Sequence, residues 1–491
     1  MISKFATLSI LFSLTIFGIV MAQNNLSQKL YDTYPVFKES EIVSKRFSHQ
    51  DLIDVLKKFD NSDKITINNA GYSIEGREIK LLRIGTGPIN VLAWSQMHGD
   101  ESTATMALLD LINFFVSEND EFSDVRNFIK DNISFYFIPM LNPDGTENFT
   151  RRNEMFIDLN RDALRLQFPE SQILKAIQDS IKPMFSFNLH DQSTRYTVGN
   201  SYKVATISFL APAFNYEKDM NEVRENAMKL ISLLKKNLDQ FIPGHIAKYS
   251  DDFEPRAFGD NFVKWGSSLI LIESGGWKNN YEKQFLRKIN FIALVSGLNS
   301  IAGDSYTKES IDVYKAIPEN QKKLFDLLLK NVTVTKNDID YIVDIGINQE
   351  ERGTSDNRDF YFEGKIEDIG DLSTYFGFDE LNCKGMKLEL AKIFPDKFEN
   401  LDALNKIDMT KILQDGYSFV VVDSIETDEK FTALPINILH SDLNHKNKFG
   451  LNKSANFILK QDDKIIFVCV NGFLFDLHSQ KNYIKNGRII Y

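Results

Sequence analysis

Between residues 64 and 302, short apolar runs alternate with segments of helical periodicity, and this alternation leaves the chain few folds to adopt. Runs such as VLAW at 91–94, ISFYFI at 133–138 and MFSFNL at 184–189 are typical of buried strands. The segments between them repeat apolar residues at spacings of three and four, as helices do. The alternation predicts an α/β fold with a mixed, mostly parallel sheet that is covered by helices on both faces.

Beyond residue 305 the pattern changes to short alternating runs, which predict a smaller, β-rich second domain. We expect one more helix at residues 321–330 and a tight hairpin turn at Asn471-Gly472. The α/β domain is accordingly assigned to residues 23–304 and the β-rich domain to residues 305–491. The second domain carries no motif that indicates catalysis.

Residues 1–22 have the composition of a secretory signal peptide. Lys4 supplies a positive charge, an apolar run covers residues 5–20, and the small residue Ala22 marks a cleavage point. The hydroxyl residues within the run and its shortness argue against a membrane anchor. We therefore expect cleavage after Ala22, export to the periplasm or the medium, and no membrane span in the mature chain.

Net charge and cysteine content exclude several classes of protein. The formal net charge of −11 argues against nucleic acid or an anionic membrane surface as a partner. The two cysteines, Cys383 and Cys469, are too few for a disulfide framework or a Cys-x-x-Cys metal site. Two buried thiols are the default interpretation, and a single bridge between them stays open for an exported chain.

Three residues with ligand or acid–base chemistry follow apolar strands, namely His98, His190 and Glu273. Open α/β sheets bind ligands at the carboxyl ends of their strands, so these side chains can converge on one cleft. Glu101 lies three residues after His98, and an imidazole and a carboxylate on one turn can hold a zinc ion together. The alternatives are an acidic helix N-terminus at Glu101, a core histidine at His190 and a buried structural carboxylate at Glu273.

A hydrolytic zinc site needs three protein ligands, a base and a positive group near the developing oxyanion. His98, Glu101 and His190 would supply the ligands for one zinc ion. Glu273 would be the base, and the arginines of the 151–161 loop would supply the positive charge.

Five motifs occur in a characteristic order along the chain. They are H-x-x-E at 98–101, NPDG at 142–145, an Arg/Asn-rich stretch running into DLNRD at 158–162, a strand ending in His190, and a strand ending in ESGG at 273–276. In order and spacing this set resembles the zinc carboxypeptidase family over roughly residues 45 to 300, about half of the chain. NPDG is interpreted as turn scaffolding under the site.

The resemblance implies a role for each matching residue of the catalytic centre. His98, Glu101 and His190 match the family's zinc ligands. Glu273 matches its general base, which also returns a proton to the leaving amine. Arg151 matches the arginine that polarises the scissile carbonyl.

The resemblance also implies a substrate-binding set. Asn160 and Arg161 match the pair that grips the C-terminal carboxylate of the substrate, and a guanidinium offers two parallel donors to such a group. A loop-stabilising pair is the alternative for these two residues. Arg152 could replace Arg151 after a one-residue shift in the loop, and Tyr249 lies near the position of the family's mobile tyrosine.

The chain departs from the family's pattern at two positions. Asp162 follows Arg161 where the family often continues with asparagine, which adds a negative charge beside the expected carboxylate grip. Asp191-Gln192 follows His190 where small residues are commoner.

The resemblance predicts an exported zinc metallocarboxypeptidase that acts on peptides with a free C-terminal carboxylate. One alternative is an amidase or deacylase of cell-wall peptides or N-acyl amino acids on the same scaffold. The other is a non-catalytic peptide-binding module. An amidohydrolase barrel is disfavoured because no H-x-H motif occurs.

Overall fold

A computed structural model describes residues 26–491, and the chain divides into two compact units. The first unit runs to Gly199 and resumes at Lys203–Gln321; the second consists of Asn200–Tyr202 and Lys322–Tyr491. The proposed signal peptide, residues 1–22, lies outside the described residues. The first unit extends beyond residue 304, the domain boundary that we propose from the sequence. Within the described range, no helix has the length and apolar character to cross a membrane.

The first unit contains alternating strands and helices. Its α-helices are α1 (described over residues 26–37), α2 (His49–Lys57), α3 (Thr103–Val116), α4 (Ser123–Asn132), α5 (Pro143–Glu147), α6 (Pro169–Ile181), α7 (Glu222–Leu238), α8 (Phe258–Lys264), α9 (Gln284–Ala302) and α10 (Ile311–Lys315). Short 3₁₀ helices cover Leu159–Arg161 and Ser305–Lys308. Its strands are β1 (Ile65–Tyr72), β2 (Glu78–Ile84), β3 (Ile89–Trp94), β4 (Ile133–Ile138), β5 (Phe185–Asp191), β6 (Tyr196–Val198), β7 (Ile207–Leu210), β8 (Ile246–Lys248), β9 (Ser268–Ser274) and, at the end of the unit, β10 (Asn320–Lys322).

Eight of these strands form one mixed sheet in the order β1-β2-β4-β3-β5-β9-β7-β8. The central strands β4, β3, β5 and β9 are parallel, as is the pair β7–β8. The pairs β1–β2, β2–β4 and β9–β7 are antiparallel. The predicted mixed sheet is therefore confirmed, and its parallel centre aligns the carboxyl ends of β3, β5 and β9 at one edge.

The sheet is covered by helices on both faces, as predicted. Successive side chains of each central strand point to opposite faces, so each strand contributes to two separate cores. Along β3, Val91 and Ala93 pack into a core built with α3, α7 and α9. Leu92 and Trp94 pack into a second core with residues of α6 and α8. Both cores are almost completely buried, which gives the strand ends a rigid support.

The second unit is rich in β-structure, as predicted. Its strands are β11 (Leu324–Lys336), β12 (Ile339–Gly353), β13 (Phe360–Gly370), β14 (Phe376–Asn382), β15 (Lys387–Leu390), β16 (Lys392–Asn400), β17 (Tyr417–Ser424), β18 (Phe431–Thr432), β19 (Asn437–His440), β20 (Phe457–Gln461), β21 (Lys464–Val470), β22 (Phe473–Asp476), β23 (Lys481–Asn482) and β24 (Gly487–Ile490). Its helices are α11 (Leu401–Leu404) and α12 (Met409–Gln414). Most strands belong to a nine-stranded sheet, and β16, β17, β19, β24 and β18 form a five-stranded one.

The helix predicted at residues 321–330 is wrong. Strand β11 begins at Leu324 and pairs with β12 on one side and with β14 on the other. Leu328 and Leu329 are both fully buried, so the strand is covered on both faces. A continuous apolar run fits a buried strand or a buried helix equally well, and here the pairing with distant strands decides between them.

Two other sequence predictions concern the second unit. The hairpin turn at Asn471-Gly472 is confirmed: it joins the antiparallel strands β21 and β22, and both residues have positive φ, 50° and 78°. Such angles favour the Asn-Gly pair. Cys383 and Cys469 are buried free thiols, so the open question of a disulfide is settled in favour of two thiols.

Candidate metal centre

The turn between β3 and α3 brings His98 and Glu101 together. Nδ1 of His98 lies 2.7 Å from Oε1 of Glu101, and both side chains are buried. Gly99 is required here by close packing, because an added Cβ would lie 2.1 Å from the carbonyl carbon of Gly145. The turn is thus pressed against the NPDG segment, which fixes the positions of its two polar side chains.

The NPDG segment at 142–145 holds this turn in place through hydrogen bonds of Asn142. The side chain of Asn142 accepts a hydrogen bond from the Gly145 amide at 3.0 Å and donates to the Met97 carbonyl at 3.3 Å. Asn142 also caps the short helix α5. These contacts support the interpretation of NPDG as scaffolding.

His190, at the end of β5, completes a cluster with the turn. Its Nδ1 lies 2.7 Å from Oε2 of Glu101 and 3.2 Å from Nδ1 of His98. The candidate ligand atoms of the three residues all lie within 4.8 Å of one another. Two imidazole nitrogens and a carboxylate that face each other are the donor set of a catalytic zinc site, which leaves a fourth position open. The residues present therefore fit a zinc ion.

Asp158 orients one of these candidate ligands. Its Oδ1 lies 3.1 Å from Nε2 of His98, on the side of the ring opposite Glu101. A carboxylate in this place fixes the orientation of the ring and raises the basicity of the nitrogen that faces the metal. Burial alone would raise the pKa of Asp158, but the hydrogen bond from His98 and the charges of His98 and Arg151 hold this pKa below its ordinary value. Sequence analysis gave Asp158 no role, although its place at the head of DLNRD was a usable signal.

Glu273 lies beside the cluster because β9 pairs with β5 in parallel register, which places Glu273 opposite His190. Its side chain is buried. Burial, and then the negative charge of Glu101, raise the pKa of Glu273 well above its ordinary value. A carboxylate with a raised pKa next to a metal-binding cluster is suited to proton transfer.

One cavity of about 180 Å³ joins almost all the side chains that the sequence singled out. Those that line it are His98, Glu101, Arg151, Asn160, Arg161, His190, Tyr249 and Glu273. Arg152 is not among the lining residues; its guanidinium donates to the Phe156 carbonyl at 2.8 Å and lines a neighbouring cavity. Of the two arginines considered for the same role, the structure brings Arg151 to the cluster.

Arg151 extends directly over the cluster. Its Nη1 lies 3.0 Å from Nδ1 of His98 and 3.2 Å from Oε1 of Glu101, while Nη2 donates to Asp158 at 3.0 Å. Burial would lower the pKa of Arg151, but the negative charges of Asp158 and Glu101 raise it. Because the side chain is 43% exposed and lines the cavity, the guanidinium is accessible to a ligand there.

Asn160 and Arg161 lie in the 3₁₀ helix on another wall of the cavity. Oδ1 of Asn160 accepts a hydrogen bond from the Phe258 amide at 2.9 Å, which anchors the wall to α8. Nε of Arg161 lies 3.4 Å from Oε2 of Glu254, so its charge is only partly compensated there. Tyr249 is half-buried on the same cavity, and burial followed by the charge of Glu273 raises its pKa.

Asp162 does not add its negative charge to this cavity. Its carboxylate is buried and accepts hydrogen bonds from the backbone amides of Gln167 and Phe168, at 3.0 and 3.2 Å. Asp162, where the chain departs from the family's pattern, therefore stabilises the loop that follows it.

Comparisons with known proteins relate the first unit to carboxypeptidases. Residues 52–186 match the zinc carboxypeptidase family. Carboxypeptidase B from Astacus astacus is 32% identical over 90 residues, which are 18% of this chain and 28% of that protein. Carboxypeptidase M from Mus musculus is 30% identical over 112 residues, which are 21% of this chain and 25% of that protein. The chain thus spans less than a third of the length of these two relatives. A crystal structure of a metallo-carboxypeptidase from Burkholderia cenocepacia aligns with a TM-score of 0.43 and 17% identity, over 53% of this chain and 70% of that one.

Proposed function

We propose that this chain, whose residues 52–186 match the zinc carboxypeptidase family, is a zinc-dependent metallocarboxypeptidase that removes C-terminal residues from peptides. One observation carries the proposal. A single cavity combines a His-Glu-His cluster, the buried carboxylate of Glu273 and two arginines. A binding module has no need for the carboxylate beside the cluster.

In this proposal the zinc ion and the protein side chains each supply a part of the chemistry. His98, Glu101 and His190 would hold one zinc ion, which when bound supplies Lewis-acid activation of water and of the scissile carbonyl. Asp158 keeps His98 oriented for this task. Glu273 would take the proton of the attacking water and pass it to the leaving amine, and its buried position keeps bulk water from competing for that proton.

The cationic residues of the cavity explain why the substrate would be a chain end. Arg161, with the amide of Asn160 beside it, faces the cavity with a partly compensated charge and would bind the terminal carboxylate. Arg151, next to the cluster, would stabilise the negative charge that develops on the scissile carbonyl oxygen. Tyr249 would close on the bound residue from its position on the same wall.

A matched pair of peptides tests the proposal. The zinc-loaded protein is incubated with one peptide as the free acid and as the C-terminal amide, and released amino acids are measured. We expect release of the terminal residue from the free acid and none from the amide. Equal cleavage of both forms would contradict a carboxypeptidase. Cleavage of murein fragments or N-acyl amino acids alone would indicate an amidase, and binding without any cleavage would indicate a binding module.

We also propose that the protein is exported. The charged start, apolar run and small residue near position 22 support this proposal. Sequencing the N-terminus of the protein purified from its own cells tests it: a mature chain that begins near Gln23 is expected, and an intact residue 1–22 segment in the cytosol would contradict it.

A further inference from the structure

Asp191 is the departure from the family's pattern that lies closest to the cluster. Its backbone amide donates to Oε2 of Glu101 at 3.1 Å, so it contacts a candidate zinc ligand directly. Its own carboxylate points to other partners: Oδ2 accepts a hydrogen bond from the hydroxyl of Thr103 at 2.5 Å. Thr103 is the first residue of α3, and Asp191 therefore ties the end of β5 to the turn that carries Glu101.

The second partner of this carboxylate is Lys283, which lies far away in sequence. Nζ of Lys283 is 3.9 Å from Oδ2 of Asp191. The same ammonium donates to the carbonyl of Gly275 and lies 3.4 Å from that of Ser274. These carbonyls belong to the segment immediately after Glu273. Lys283 thus joins the segment that follows the candidate base to the residue that follows a candidate metal ligand.

Two features of Lys283, its burial and its backbone conformation, are energetically unfavourable in themselves. Its side chain is only 9% exposed, and burying an ammonium is unfavourable unless charges and acceptors compensate it. Its backbone has φ of 56°, a left-handed conformation that is uncommon for residues other than glycine. Strained and buried polar groups of this kind concentrate at functional sites.

We propose that Lys283 is a positioning residue, whose ammonium holds Glu273 and, through Asp191, Glu101 in the arrangement that catalysis requires. The proposal rests on the proposed function in one respect only, the role of Glu273 as base. Strand pairing between β5 and β9 ends at Asp191 and Ser274, and one further backbone hydrogen bond, from the Gln192 amide to the Ser274 carbonyl at 3.0 Å, joins the two segments. The ammonium adds a second link between them, from the Gly275 carbonyl to the Asp191 carboxylate.

The test compares Lys283→Met, which removes the charge but keeps the length of the side chain, with Lys283→Arg, which keeps the charge. Lys288→Met is the matched control, since Lys288 lies in α9, the helix that directly follows Lys283, and its ammonium lies over the ring of Tyr31 instead. Metal content, kcat, KM and the visible absorption spectrum of the Co²⁺-substituted protein are measured for each variant. The spectrum reports on ligand geometry without requiring activity.

For Lys283→Met we expect metal content equal to that of the wild type, kcat lower by about tenfold or more, unchanged KM, and a shifted Co²⁺ spectrum. Lys283→Arg should restore most of the wild-type kcat and the wild-type Co²⁺ spectrum. Lys288→Met should leave kcat and the spectrum unchanged. A lower thermal midpoint with kcat per metal-loaded molecule and the Co²⁺ spectrum both unchanged would overturn the proposal, because the role would then be purely structural. If the wild type itself releases no amino acid, the proposed function fails, and the Co²⁺ spectrum alone still decides whether Lys283 positions Glu101.

Discussion

Replacing Glu273 by glutamine separates acid–base chemistry from metal binding in this site. The change keeps the size of the side chain and removes only its ability to accept and return a proton. Glu273 is buried beside the cluster but is not one of the three residues whose ligand atoms converge. We therefore expect Glu273→Gln to bind zinc as the wild type does and to lose turnover.

The expected decrease in kcat depends on whether another carboxylate of the cavity can replace Glu273. General acid–base catalysis contributes about 10²- to 10⁴-fold to a rate, which corresponds to about 3–5 kcal/mol in the activation free energy. Other carboxylates line the cavity, but they are already engaged. Glu254 binds Arg256, Asp252 accepts from Ser250, Asp260 accepts from the Glu254 amide, and Asp191 accepts from the Thr103 hydroxyl. Since each of these carboxylates is held by another partner, we expect a decrease in kcat near the upper end of this range.

The assay is release of the terminal amino acid from a free-acid peptide at saturating concentration, with zinc per chain measured on the same samples. Glu170→Gln is the matched control, because Glu170 is also a buried glutamate of the first unit and does not line the cavity. It should retain the wild-type rate. A Glu273→Gln variant with kcat within about tenfold of the wild type would refute the reasoning, since a general base contributes more than that. Loss of zinc from this variant would also contradict it.

Three further predictions concern other contacts of the first unit. Asp158→Asn should weaken zinc binding about 10- to 100-fold in competition with a chelator, because His98 loses its orienting carboxylate; unchanged affinity would contradict this. Arg161→Met should raise KM for free-acid peptides and leave zinc content unchanged, and an unaltered KM would remove Arg161 from the carboxylate grip. Arg287→Met should lower the free energy of unfolding in urea by about 3–5 kcal/mol. Asp110 would keep its hydrogen bonds from Tyr34 and the Glu39 amide but would be left buried without the opposite charge that lies 2.5 Å away. A change below about 1 kcal/mol would show that the ion pair is dispensable.

The sequence predicts the sheet, and the grouping of His98, Glu101 and His190 within it, because both depend on local pattern. Apolar runs define the strands, and polar residues directly after them must lie at the carboxyl edge of a parallel sheet. By that rule His98, His190 and Glu273 can converge at one edge, and the register of β5 with β9 places His190 opposite Glu273.

The parts that sequence analysis missed depend on contacts between distant residues. Asp158 reaches His98 across the cluster, and Lys283 reaches Asp191 from the start of α9. Neither pair leaves a periodic signal. The choice between Arg151 and Arg152 depends on the path of an irregular loop, and the strand β11 was predicted as a helix because its apolar run fits both structures.

Diffraction data collected from zinc-loaded crystals on both sides of the zinc absorption edge test the central claim most directly. The account predicts one strong anomalous peak in the first unit, at about 2.0–2.2 Å from Nδ1 of His98, Nδ1 of His190 and the carboxylate of Glu101. A zinc-saturated protein with its peak elsewhere, or with none at these three residues, would contradict the assignment of a zinc hydrolase.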